Sequence, residues 1–92
     1  MKSNKAFKPK GLKEWDRLVY HAHGKDYEGF VFEVYGTDWF IEDDNRVNFP
    51  TSYLNEKWEI DGLPDTYVKK VSRLDEVSKT HIILWERKED EN

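Results

Sequence analysis

Three histidines are the first residues in this 92-residue chain whose types and spacing could do chemistry. His21 and His23 stand two apart in "YHAHG", on one face if that segment is a strand, and His81 opens the run "HIILW". Two histidines at that spacing hold a transition metal only when a third ligand joins them. There is no cysteine, which excludes thiolate sites and disulfides. As a general base, a histidine needs a nucleophile or an orienting partner, and no signature here supplies one. "EDDN" at 42–45 resembles half of a calcium loop, but the central glycine and the closing glutamate are missing. It reads as a charged turn between strands. No Gly-rich phosphate loop occurs. The expectation is therefore no enzyme, no cofactor, no metal and no small-molecule substrate.

Charge is the next source of function. The net charge of -4 conceals a division: residues 1–13 carry +5 and residues 14–92 carry -9. Seven acids and no base lie within 26–45 (Asp26, Glu28, Glu33, Asp38, Glu42, Asp43 and Asp44). Carboxylates spaced along adjacent strands can imitate rows of nucleic-acid phosphates. An acidic mimic that inhibits DNA-handling enzymes is thus one reading, and a solvated sheet face that discourages edge pairing is the other. The opposite sign supports nucleic-acid binding. Lys5, Lys8, Lys10 and Lys13 of the N-terminal arm would hold phosphates, with Lys69, Lys70 and Arg73 of "YVKKVSR" adding a patch. Phe30, Tyr35 or Trp39 would stack on bases if exposed. A sequence pI near 5.3 weighs against strong binding of this kind.

These residues need elements to position them. Charged residues make up 37% of the chain, yet aromatics make up 15%, too many for a disordered segment. The pattern predicts one mainly β domain over 14–88, a flexible basic arm at 1–13 and an acidic tail at 89–92. "RLVYHA" alternates Leu18, Tyr20 and Ala22 against Arg17, Val19 and His21. "YEGFVFEVYG" alternates Phe30, Phe32 and Val34 against Val31, Glu33 and Tyr35, and Gly29 within it predicts a bulge or bend. Turns at Gly-Lys-Asp, Gly-Thr-Asp and "DDNR" separate short strands, including Trp39–Glu42 and Val47–Phe49. Pro50 ends the last of these because it cannot donate to a ladder. "TSYLNEK" has room for one 3₁₀ turn, and "KWEI" for a short strand. Trp15, Trp58 and Trp85 read as core or lid residues. "TYVKKVSRL" and "THIILWERK" predict a hairpin across "DEVSK" within 66–88, with a helix at 66–78 as the alternative.

"DRLVY…GKDYEGFVFEV…DWFIEDD" resembles the opening of Src-homology-three-like small barrels, including their Tudor and KOW relatives. "DWF" followed by "FPTSYL" is similar to two signature pieces of the true Src-homology-three domains. One is a tryptophan at the start of the third strand. The other is a proline, two small or polar residues and a tyrosine in a short 3₁₀ turn. The resemblance implies a small barrel over 14–60 with a C-terminal β-hairpin and at most one short helix. It also implies a groove for proline-rich peptides lined by Trp39, Pro50 and Tyr53, with Tyr20 as a fourth member. The long acidic loop that supplies half of such a groove is absent, since only "HGKD" separates the first two strands.

The resulting expectation is a non-enzymatic interaction module that binds and modulates a protein partner, of the kind found among bacterial or phage accessory proteins. The alternative is nucleic-acid binding or mimicry. Absence of cysteine staples in so small a domain points to the cytoplasm. No apolar run reaches the length of a membrane span, so no membrane partner is expected.

Overall fold

A computed structural model of the chain describes residues 7–42 and 47–87. Alternation of apolar and polar residues is what makes its strands. In β1 (Arg17–Ala22) every second residue is buried, Leu18, Tyr20 and Ala22, while Arg17, Val19 and His21 face away. β2 (Lys25–Val34) buries Gly29 and Val31 on that same side, and β3 (Thr37–Glu42) buries Phe40. β4 (Val47–Pro50) buries Phe49, and its last residue is the proline that cannot extend a ladder. β5 (Tyr67–Asp75) and β6 (Thr80–Glu86) form the C-terminal hairpin that the sequence predicts, so residues 66–78 hold a strand and not a helix.

All six strands are antiparallel neighbours in one sheet, in the order β4-β3-β2-β1-β5-β6. The fold class is mainly β, with 3₁₀ turns at Pro9–Gly11 and Thr51–Tyr53 and no α-helix among the described residues. The sheet is open, which corrects the expectation of a closed barrel over 14–60. The reason lies in the path after β4. The chain leaves the sheet through the Thr51–Tyr53 turn, and β5 takes the free edge of β1, with Leu18 opposite Val71. The core is then closed by coverage. Leu54, Trp58 and Ile60 pack onto it from the crossing segment, where "KWEI" makes only isolated bridges.

The connections are as short as the sequence allows. His23–Gly24 joins β1 to β2 and Tyr35–Gly36 joins β2 to β3, with all four residues at positive φ, from 53° to 80°. Two-residue hairpin loops need that handedness to match strand twist, and glycine adopts it without a Cβ penalty. Each loop thus falls one residue before the Gly-Lys-Asp and Gly-Thr-Asp turns read from sequence. Gly29 makes no bulge: the β1–β2 and β2–β3 registers run through it unbroken. The register shifts fall instead at Val19/Tyr20, Phe40/Ile41 and Val71/Ser72.

Residues 7–13, expected as part of a flexible arm, belong to the packed domain. Pro9 and Leu12 are buried, and Phe7 stacks on Trp58 at 5.9 Å. An apolar residue every two or three positions (Phe7, Pro9, Leu12) gave this segment more to bury than its lysines implied. Trp58 stacks in turn on Trp85 at 5.0 Å, so both are core residues. Burial of each large apolar side chain contributes roughly 1.5–3 kcal/mol. The "DDNR" turn, Lys5, Asp43, Asp44 and the 89–92 tail lie outside the described residues.

Candidate binding face

With the core on one side of the sheet, the other side carries what the chain can offer a partner. Across β2 and β3, Phe32 stands opposite Trp39; across β3 and β4, Trp39 stands opposite Pro50. Phe30 lies two residues from Phe32 on the same face, and their rings meet edge-on at 6.5 Å. Trp15 folds back over this pair. Its φ of 76° reverses the chain, its backbone N–H donates to the Val31 carbonyl, and its indole stacks on Phe30 at 5.1 Å and meets Phe32 at 5.2 Å. Trp15 is 59% exposed. Trp15, Phe30, Phe32, Trp39 and Pro50 thus form an aromatic stripe on the sheet face away from the core. Sequence reading had Trp15 as a core or lid residue. What hid its position was the left-handed backbone, which no spacing rule announces.

The groove implied by the resemblance is only partly assembled. Trp39 and Pro50 are register partners and half-buried. Tyr53 is 60% exposed in the turn that follows them, next to β3. Tyr20 is not with them. As an even-numbered residue of β1 it points into the core, 7% exposed, among Tyr27, Phe40 and Phe49. Phe49 is buried beside it. Tyr35, a stacking candidate, is fully exposed at a hairpin tip and apart from the stripe in sequence register.

Beside the stripe the same face turns polar. Arg17 stands over the Phe30 ring at 5.9 Å and reaches Glu28 at 3.7 Å. Farther along, His21 stacks on Tyr67 and its Nδ1 lies 2.8 Å from Asp26, which Lys69 also reaches at 3.1 Å. These contacts hold the Asp26 carboxyl below its usual range, with His21 the largest cause and Lys69 next. Among the described residues no group of three His, Cys, Asp or Glu side chains could hold a metal ion.

The charged residues singled out by sequence divide. Asp26 and Glu28 are on the stripe side and carry cationic partners; Glu33 and Asp38 are opposite each other on the core side. These four acids therefore form no single row. Of the basic set, Arg73 is drawn to the core side, where buried Asp16 takes both its Nε and an Nη. Lys69 is bound to Asp26, and Lys8 approaches Glu56 at 4.0 Å. Lys10 and Lys13 are exposed, and Lys70 faces the stripe side opposite Val19. No helix among the described residues is long and apolar enough to cross a membrane. Compared with protein-family models, with curated proteins and with solved structures, the chain matches none.

Proposed function

We propose that this chain is a non-enzymatic interaction module that docks a protein partner on the sheet face away from its core, with Trp15, Phe30, Phe32 and Trp39 as the contact. The single observation that carries this reading is the position of Trp15, an exposed residue whose indole is held over two phenylalanines. Aromatics concentrated in one patch and flanked by polar groups are what protein interfaces are built from, and their large rigid surfaces carry most of the binding energy. The balance of charge supports a protein over a nucleic acid. On this face Arg17, Lys69 and Lys70 stand with Asp26 and Glu28, and two of the three cations already meet a carboxylate. A phosphate backbone needs uncompensated cations in a row. The absence of cysteine supports a cytoplasmic setting.

The test is affinity capture with the full chain, with Trp15→Ala and Trp39→Ala variants, and with Tyr35→Ala as an exposed aromatic elsewhere. A partner retained by the wild type and by Tyr35→Ala, and lost from both tryptophan variants with their folds intact by circular dichroism, is the expected result. Equal retention by the tryptophan variants overturns the reading. So does tight oligonucleotide binding with a steep salt dependence.

A further inference from the structure

Next to the aromatic stripe, the face away from the core holds an open depression of about 410 Å³ lined by Arg17, Val19, Glu28, Lys70, Ser72 and His81. We propose that this depression is a carboxylate-binding subsite, so that the partner docked on the stripe presents an acidic side chain or chain terminus beside its apolar residues. The inference rests on the docking reading above.

Register builds the site from four strands. Val19 pairs with Glu28 on β2 and with Lys70 on β5; Arg17 pairs with Ser72; and Leu74, on the same side as Ser72, pairs with His81 on β6. Donors from three strands therefore line one depression. Lys70 is half-buried, and neither it nor His81 nor the Ser72 hydroxyl makes a side-chain hydrogen bond or ion pair among the described residues. Glu28, which borders the depression, is taken by Arg17, so the Lys70 ammonium meets no carboxylate among the described residues. A carboxylate placed here accepts from the ammonium, the hydroxyl and an imidazole N–H, each a short charge-assisted bond.

Continuity with the stripe is direct. Arg17 lines the depression and also covers the Phe30 ring, which Trp15 stacks upon. A peptide with an aromatic or aliphatic residue near an Asp or Glu engages both halves at once. Glu28 borders the site, and Glu86 stands opposite Lys70 in the hairpin register, so the lining is of mixed charge.

The experiment follows backbone amide signals of the full chain by NMR during titration with acetylated tetraglutamate, inorganic phosphate and an eight-nucleotide oligothymidylate at one salt concentration. Expected is a saturable shift centred on Lys70, Ser72 and His81 with tetraglutamate, weakened at least tenfold in Lys70→Glu and in Lys70→Met, and unchanged in Lys57→Glu. Shifts that grow without saturation, or that survive in both Lys70 variants, overturn the subsite. Tighter binding of phosphate or oligothymidylate than of tetraglutamate overturns the carboxylate assignment. If tetraglutamate fails while the tryptophan variants still lose the captured partner, the subsite falls and the docking reading stands. If tetraglutamate binds while those variants keep the partner, the docking reading falls.

Discussion

Arg73 grips Asp16 from fifty-seven residues away, its Nε donating at 2.7 Å and an Nη at 2.8 Å to the two carboxylate oxygens. Asp16 is 1% exposed. One of its oxygens also accepts from the Lys13 backbone N–H, and its own carbonyl accepts from that of Val31. Three parts of the chain, the N-terminal segment, β2 and β5, therefore meet at one residue. The guanidinium pKa is raised in return, the hydrogen bond to Asp16 being the main cause.

Removing the carboxylate strands a partly buried cation and a backbone donor. Asp16→Ala should lower stability by about 2–4 kcal/mol, read from the denaturant midpoint at unchanged slope. Arg73→Lys, which keeps the charge and loses the two-pronged geometry, should cost less than half of that.

Arg87 ties the crossing segment to the hairpin. It donates to the carbonyls of Val68, Lys57 and Trp58, and its guanidinium lies over the rings of Tyr67 at 4.8 Å and Trp85 at 5.3 Å. Burial lowers its pKa, but an arginine stays charged, so the cost is carried by these contacts. Arg87→Ala should destabilise by about 2 kcal/mol and unveil Trp85, a change visible as a red shift of tryptophan emission. Arg87→Lys should recover only part of the loss.

Acid should weaken the fold through two surface aspartates. Asp26 is lowered by His21 first and Lys69 second, and Asp75 by the Ser78 hydroxyl first and the Ser78 backbone N–H second. A carboxyl whose folded pKa is depressed contributes stability in full above its unfolded value, near about 4. That contribution fades as pH falls from there through the folded value. Thermal midpoints of an Asp26→Asn, Asp75→Asn double variant should fall less steeply than the wild type below about pH 4. Parallel slopes for the two proteins would refute the assignment.

The strands were legible because alternation is local. Leu18, Tyr20 and Ala22 announce a buried face, and the β5–β6 hairpin is visible in two apolar runs about a turn apart. Which face of β2 meets the core was not legible. Phe30 and Phe32 outweigh Val31 and Gly29 in apolar surface, yet Val31 is inside. The choice is made by Phe40, which stands opposite Val31 and belongs to the core, and by Trp15, which covers the phenylalanines from outside. Both are tertiary facts. Barrel closure was over-read for the same reason: the turns are local, but the edge that β5 takes is set by packing across more than forty residues. The stripe could have been suspected from three aromatics in register across β2 and β3. The depression could not, because its donors come from β1, β5 and β6.

The strand order carries a consequence for how the chain is made. β1 to β4 are neighbours both in sequence and in the sheet, so this meander can pair as soon as it is synthesised. β1, however, has its second edge filled only by β5, and Leu18 meets Val71 only then. Until residue 75 has emerged from the ribosome, β1 is an open edge with an apolar face, the condition under which nascent chains pair wrongly or recruit chaperones. Synthesis from one end to the other thus leaves β1, the first strand made, without its second neighbour until β5 follows some fifty residues later.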